Sequence, residues 1–556
     1  MPPRGSVDEG LPAGRNGSVT TRQWLRTAPT VAWLAAILAL ALLLRLAFFV
    51  GLASGDPQDD GVYYGNALAL YENGPRYLGL YRGVAPDFIA NPIDQFNVRP
   101  MVTYPIAALF VAFGPGEIQA SSWALFCSLL IVLVVYWLGD LLHGRSVGLT
   151  AALLCAVYPL EVINGTRILS DVQVGLFASL GLLCFVAARR VSNPLLYVAA
   201  GAAAAGAYLA NGRGLLFALA LIGTSLCLAV GRKLSARSAL SVAAGFLIVF
   251  SVEAVVYYTT TGHALLSYHV QSSASYFKYL HEPVSSVRIG PVHVDFTNGR
   301  PLDLVRSALA IDGAPTNQVG LFFYLFGAAI VFSLVRRQNL LLAGLAIAIF
   351  VSMEFGPLRV DVDWSSREIH YLMLFKQQRF LLMLTAPLVV MAAYFFCAVG
   401  RKSAPAAALL TTMLLATALP AIVHTREYYR SGLVDLRAAA TEVRLNPDRM
   451  FFGDLWAILH LRIFTHYRAT NLTVLNRDDP PERVNNGCVI LGGSRGVELQ
   501  AEYVESTLPG FARDMLARGT ALAGWQQIRE IRGARSPLRA HDLKIYCAGE
   551  RRDTSE

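Results

Sequence analysis

The sequence predicts an α-helical polytopic membrane protein of about eleven transmembrane helices with a small C-terminal extracytoplasmic α/β domain. The first observation behind this is composition: 54% of the 556 residues are hydrophobic and 15% charged, whereas a soluble domain carries about 25% charged residues. The second is a succession of apolar runs separated by short polar breaks, each run long enough to span or nearly span a bilayer. The third is the charge in those breaks. Arg189-Arg190, Arg232-Lys233, Arg336-Arg337 and Arg401-Lys402 sit in short gaps, as the positive-inside rule expects of cytoplasmic loops.

The runs are Val31–Leu52, Ile118–Leu138, Val147–Val162, Val172–Ala187, Leu196–Leu209, Leu215–Val230, Leu240–Tyr258, Gly320–Val335, Leu340–Phe355, Phe380–Val399 and Ala406–Val423. With Arg4, Arg15, Arg22 and Arg26 ahead of the first run, the N-terminus is expected inside. Every even-numbered pass then returns to a basic loop, the first of these being His143/Arg145. An odd number of passes leaves the C-terminus outside, in a cell (inner or plasma) membrane.

Three regions follow. Residues 1–29, rich in Gly, Pro, Arg and Ser, read as a disordered cytoplasmic leader without the order of a cleavable signal peptide. Residues 30–423 form the membrane domain, with large external loops at 53–117 and 259–319 and a shorter one at 356–379. Residues 424–556 read as an α/β domain of ordinary size. Its expected helices are Leu436–Leu445, Val497–Thr507 and Gly510–Arg518, and its expected strands are Val489–Leu491 and Leu543–Tyr546.

The formal charge is +9, but the basic residues are scattered rather than gathered on one face, which argues against nucleic acid as a partner. Five cysteines lie in apolar runs and read as small buried side chains. Cys488 and Cys547 lie in strand-like stretches of the tail, where an oxidising compartment would allow them to pair.

The chemistry-bearing segment is Gly55-Asp56-Pro57-Gln58-Asp59-Asp60, directly after the first run. Three carboxylates within five residues carry too much charge to face lipid. They either keep the loop soluble or supply a general base to an acceptor hydroxyl or amine. The segment leads into Tyr63…Ala67…Leu70…Gly74, a helical spacing with a glycine stop. The loop closes through Arg99-Pro100 and Tyr104-Pro105 to Phe113-Gly114. An arginine there can meet phosphate oxygens in a bidentate fork that lysine does not reproduce.

The pattern Asp59-Asp60-x2-Tyr63-x3-Ala67-x2-Leu70-x3-Gly74 resembles the first loop of glycosyltransferase C superfamily enzymes. Within the superfamily it is most similar to the protein O-mannosyltransferase and aminoarabinose-transferase type, which use polyprenyl-phosphate sugars. Arg99-Pro100-x3-Tyr104-Pro105…Phe113-Gly114 is similar to the stretch that closes the same loop. Gly144-Arg145…Gly148…Ala151, Tyr158-Pro159 and Arg167-Ile-Leu-Ser170-Asp171 follow in the family's order, with Arg213 and Gln378-Arg379-Phe380 as later basic landmarks. The resemblance covers roughly residues 30–400. The chain departs from it at Asp60, where glutamate is usual, at Met101, where a second proline is usual, and at Asp171, where glutamate is usual. These differences bear on the substrate more than on the superfamily.

The resemblance implies an integral-membrane, inverting glycosyltransferase that moves a sugar from a polyprenyl-phosphate donor to an extracytoplasmic protein, lipid or glycan. Asp59, or its neighbour Asp60, would be the general base. Arg99, Arg213 and Arg379 would neutralise the donor phosphate. Tyr63, Tyr104, Arg167 and Asp171 are further cavity candidates. No cofactor is expected, a divalent metal being the alternative that no sequence feature supports. His263, His269, His281 and His293 match no metal-ligand spacing.

Other residues carry two readings. Arg45 is either a lipid-phosphate contact or a snorkelling or helix-paired arginine. Glu253 and Glu354 either line a cavity or are paired structurally. Gly492-Gly493-Ser494-Arg495-Gly496 reads as a tight strand-to-helix connection in preference to a phosphate-binding turn. Two other functions remain in view: a lipid-linked-sugar flippase or transporter, and an envelope-assembly scaffold. Few charges inside the runs and loop bulk on one face disfavour transport.

Overall fold

Helices start and stop where the sequence places its punctuation. The computed structural model describes residues 21–52, 59–74, 99–268, 285–297, 300–309, 318–374, 376–431, 434–465, 469–476, 478–484, 487–494, 508–518, 525–531 and 539–548; for Asp59 the description stops at the backbone. Helix α2 (Asp59–Asn73) opens on two acids, which suit the positive end of the helix dipole, and ends at Gly74 with φ +60°. Helix α3 (Pro100–Phe113) has proline in its first turn and closes where the Gly114 N–H donates to the Phe110 carbonyl. Before helix α8 (Pro194–Ala210), the Asn193 side chain accepts from the Leu195 N–H at 2.9 Å.

The membrane domain is built from α1 (Thr21–Ala47), α4 (Glu117–His143), α5 (Arg145–Val157), α6 (Pro159–Asn164), α7 (Asp171–Val191), α8, α9 (Gly214–Val230) and α10 (Ala236–Thr261). After the short α11 (Asp303–Leu309) come α12 (Phe322–Val335), α13 (Leu340–Phe355), α14 (Thr385–Lys402) and α15 (Ala404–Ser431). Among the described residues, six segments are long and apolar enough to cross a membrane: Pro29–Ala47, Glu117–His143, Asp171–Val191, Ala236–Thr261, Gln378–Lys402 and Ala404–Glu427. Shorter apolar helices account for the other expected runs. Outward-facing Leu43, Ile248, Val252 and Leu409 leave an apolar outer surface, which hydrocarbon rather than water can solvate.

Three expected spans differ from the helices that form. The first ends at Ala47, after which Gly51, with φ +67°, bridges to Arg167 in place of a further helical turn. The run Val147–Val162 breaks between α5 and α6 at Tyr158-Pro159, because proline lacks an N–H and pushes its predecessor out of the helical region. The run from Phe380 starts inside a tighter 3-10 turn, Gln378–Leu384. Helix α3, read as part of an external loop, is itself an apolar helix. Helix α15 continues past the expected domain boundary at residue 423 to Ser431.

The loops sort to two ends. At one, His143 stacks on Tyr394 at 4.2 Å between centroids and hydrogen-bonds Asn339 at 2.6 Å, gathering the basic breaks beside α4, α13 and α14. At the other, strands from two separate loops make one sheet. β1 (Ser285–Ile289) and β2 (Val292–Thr297) join β3 (Pro357–Asp363) and β4 (Glu368–Met373) in the order β1-β2-β4-β3, with β2 parallel to β4. Loops that share a sheet lie on one face of the membrane.

The tail contains α16 (Val434–Leu445), β5 (Met450–Gly453), α17 (Leu455–Phe464), β6 (Leu472–Val474), β7 (Gly487–Ser494), α18 (Gly510–Arg518), β8 (Trp525–Ile531) and β9 (Arg539–Ala548). Its sheet runs β6-β5-β7-β9-β8, parallel from β6 to β7 and antiparallel thereafter. Cys488 and Cys547 face each other across β7 and β9 and form a disulfide. Gly492–Ser494 is strand, not a turn, and the expected helix Val497–Thr507 lies outside the described residues. The tail packs on the first loop, with α17 against α2. The Arg437 guanidinium grips Glu117 at the start of α4 through Nη1 to Oε2 at 2.9 Å and Nη2 to Oε1 at 2.7 Å.

Candidate active site

Helix α2 presents Asp60, Tyr63, Tyr64 and Ala67 as one buried stripe toward α3 and the membrane domain. Asp60, 2% exposed, meets Arg167, 1% exposed, at the start of the chain segment between α6 and α7. Arg167 Nη2 lies 3.3 Å from Oδ1 and Nε lies 3.4 Å from Oδ2, so both carboxylate oxygens are engaged. The same guanidinium lies 4.0 Å from the ring centroid of Tyr429, at the C-terminal end of α15, a favourable cation–π placement.

One turn along α2, the Tyr63 hydroxyl accepts from Arg99 Nη1, and the Arg99 guanidinium lies 5.5 Å from the Tyr63 ring centroid. Tyr64 packs on Phe110 at 5.1 Å between centroids. Burial, reinforced by the Glu117 carboxylate, pushes the Tyr64 phenol well above its ordinary range, so it stays protonated at neutral pH.

A second cluster forms where α7, α9 and the Gln378–Leu384 turn converge. Arg379 Nε lies 3.4 Å from Asp171 Oδ2, the first residue of α7. Phe380 has the guanidinium of Arg213 3.5 Å from its ring centroid and that of Arg379 at 5.5 Å. Arg213, Arg379 and Asp171 are thereby brought together. Asn211, just before Arg213, donates to Ser170 Oγ at 2.9 Å and ties the α8–α9 turn to the residue before Asp171.

Side chains link the two clusters. The Tyr429 hydroxyl accepts from Gln318 Nε2 at 2.6 Å, the Gln318 N–H donates to Gln378 Oε1 at 2.7 Å, and Gln378 neighbours Arg379. Arg167 and Asp171 also lie on one short segment, so a single loop serves both clusters. Arg99 stays with Tyr63, and Tyr104, 39% exposed on α3, joins neither cluster.

Tyr429 and Gln318 had no sequence signal, since each acts only through a neighbour distant in the chain; Gln378 stood in the Gln378-Arg379-Phe380 landmark without a role of its own. Glu354 pairs with Lys376 at 3.2 Å, the structural one of its two readings. Arg45 takes the helix-paired reading, wholly buried and hydrogen-bonded to Ser128, Ala41 and Ala156. Glu253 is buried at the α8–α10 contact. Of the four loop histidines, His293 pairs with Asp295 at 3.0 Å, His263 precedes the short turn after α10, and His269 and His281 lie outside the described residues. Among the described residues, no three His, Cys, Asp or Glu side chains come together as a metal site.

Residues 97–258 match the family described as dolichyl-phosphate-mannose-protein mannosyltransferase. No curated protein sequence matches the chain. Among solved structures it is similar to ArnT from Cupriavidus metallidurans in the apo state, at 14% identity and a TM-score of 0.54 over 93% of this chain and 98% of that one. The same protein bound to undecaprenyl phosphate gives 13% identity and a TM-score of 0.53 over the same shares, 93% and 98%. The apo oligosaccharyltransferase of Archaeoglobus fulgidus gives 14% identity and a TM-score of 0.52 over 88% of this chain and 72% of that one. At such identities the likeness is one of fold: this multi-pass membrane chain has the fold of the glycosyltransferase C superfamily that its first-loop pattern resembles.

Proposed function

We propose that the protein is an integral-membrane glycosyltransferase that moves a sugar from a polyprenyl-phosphate donor to an acceptor on the extracytoplasmic side, with its N-terminus in the cytoplasm. The observation that carries this reading is the convergence of Arg213 and Arg379 on Phe380 beside the loop that holds Asp60. Two fixed guanidinium groups at the end of a membrane domain suit a lipid-borne phosphate, whose charge must be met as the sugar leaves. Similar folds have been solved with undecaprenyl phosphate bound, with dolichol-phosphate and an inhibitory peptide, and with a tethered acceptor peptide.

The roles we assign start from the pairing of Asp60 with Arg167. Arg167 occupies both oxygens of Asp60, so Asp60 anchors α2 and the adjacent Asp59 is the proton acceptor. Asp59 takes the proton from the acceptor hydroxyl or amine, whose heteroatom attacks the anomeric carbon. The bond from that carbon to the phosphate oxygen breaks, the configuration inverts, and polyprenyl phosphate leaves against Arg213 and Arg379.

The test incubates purified full-length protein with a panel of polyprenyl-phosphate sugars and envelope extract as acceptor source, and measures released polyprenyl phosphate. Release from one sugar that is abolished by Asp59→Asn supports the reading. Release from none of the panel, or release indifferent to Asp59, rejects it.

A further inference from the structure

A polar network lies inside the membrane domain and shares no residue with the two clusters of the candidate site. Arg45 Nε donates to Ser128 Oγ at 2.8 Å, and Ser128 Oγ donates to Glu161 Oε2 at 2.9 Å. The other oxygen, Glu161 Oε1, accepts from Thr385 Oγ1 at 2.9 Å. Arg45, Ser128, Glu161 and Thr385 are all inaccessible to solvent. No lipid phosphate reaches Arg45 without opening the helix bundle.

Such a network has to be explained. Burying an arginine and a glutamate in a membrane domain costs several kcal/mol, and an apolar set of equal volume is often as stable or more so. What charge-assisted hydrogen bonds add is direction, since each fixes a donor to a particular lone pair. The question is which segments are being fixed.

The answer lies in the neighbours. Glu161 sits in α6, and α6 leaves through Gly165, where an added Cβ would stand 2.6 Å from the Glu161 carbonyl, 2.9 Å from Ser128 Oγ and 3.1 Å from Arg45 Nε. Next, Thr166 Oγ1 accepts from the Val50 N–H at 3.0 Å, and Arg167 bridges Gly51. Arg45 thus stands on the helix whose exit strand pairs with the segment holding Asp60. Thr385 begins α14 directly after the turn that carries Arg379 and Phe380. One carboxylate joins the roots of both clusters.

We propose that Arg45, Ser128, Glu161 and Thr385 form a buried brace that positions the Arg167–Asp171 segment and the Arg379–Phe380 turn for the transfer step. Glu161 and Thr385 are positioning residues that touch no substrate. The proposal rests on the transferase reading for its kinetic readout. A displacement of the attacking base relative to the phosphate clamp slows in-line attack more than it weakens lipid binding, and a shift near 1 Å is worth up to about 10²-fold.

The decisive variant is Thr385→Val, which removes the hydroxyl at nearly constant volume. Turnover should fall about tenfold while the donor KM rises less than about threefold, and Thr385→Ser should restore turnover. In the same samples, amide hydrogen exchange over residues 163–171 should quicken. Turnover within about twofold of wild type with unchanged exchange overturns the brace, as does failure of Thr385→Ser to restore it. Should Thr385→Val not fold, the pair Arg45→Met with Glu161→Gln removes both charges together. That protein should melt near wild type yet turn over about tenfold more slowly, and full turnover overturns the proposal. If the wild type releases no polyprenyl phosphate, the transferase reading fails by itself and the exchange measurement still decides the brace.

Discussion

Arg167 grips both carboxylate oxygens of Asp60, Nη2 on Oδ1 at 3.3 Å and Nε on Oδ2 at 3.4 Å, while its guanidinium lies 4.0 Å from the ring centroid of the buried Tyr429. Of two adjacent acids that look equivalent in sequence, Asp60 is the one a buried guanidinium holds; under the proposed function Asp59 is the base.

Asp59→Asn and Asp60→Asn are therefore expected to fail in different ways. Asp59→Asn should lower turnover by about 10²-fold or more, the usual weight of general base catalysis, with an unchanged melting temperature. Asp60→Asn leaves Arg167 buried without its counter-charge, a change that costs about 3–5 kcal/mol. Thermal denaturation of the two purified variants separates them. Equal melting losses would contradict the division of roles.

Donor affinity should respond unevenly to the three arginines. Arg213→Ala or Arg379→Ala removes a charge-assisted contact worth about 1.5–3 kcal/mol, roughly tenfold or more in Kd. Arg99 is committed to Tyr63, so Arg99→Ala should move the Kd by less than about threefold, under a kcal/mol. Titration of each variant with a polyprenyl phosphate in detergent gives the order. An Arg99 effect as large as the others would place the phosphate near α2.

The Glu117–Arg437 fork ties the tail to the membrane domain. It is partly exposed, so its loss should cost about 1 kcal/mol or less. Glu117 also accepts from the Leu52 N–H at 2.9 Å, so Glu117→Ala should loosen the root of the first loop as well. Hydrogen exchange should quicken in α16 alone for Arg437→Ala, and in both α16 and residues 48–52 for Glu117→Ala. Identical patterns would show that the Glu117–Leu52 bond contributes nothing of its own.

The tail sheet carries the Cys488–Cys547 disulfide, a bond that persists in oxidising compartments. Intact-mass analysis without reductant should find the two thiols blocked, and removing both cysteines should destabilise the tail domain by about 2–4 kcal/mol. Maleimide added outside spheroplasts should label a cysteine engineered at Ser536 and spare one at Gly10. The opposite labelling would invert the proposed topology.

The sequence by itself determined the helical membrane domain, because about twenty consecutive apolar residues admit few other fates. It also determined α2 with its stop at Gly74, and α18 with the strands about Val489 and Leu543, from local spacing and caps alone. Break points were less legible. Whether a run bends at Tyr158-Pro159, or stops at Ala47, depends on what a neighbouring segment offers the freed backbone groups. Asp59 and Asp60 were legible as candidates because charge at a membrane edge is expensive and therefore conspicuous, and Arg213 and Arg379 through the family resemblance. Their partnership was not. Which acid Arg167 takes, that Arg213 and Arg379 share Phe380, and that Glu161 joins α1, α4 and α14 are matters of three-dimensional proximity among residues far apart in the chain. Hydrogen-bond distances of about 3 Å are set by helix packing, and no periodicity along a single segment encodes them. Tertiary structure alone decided them.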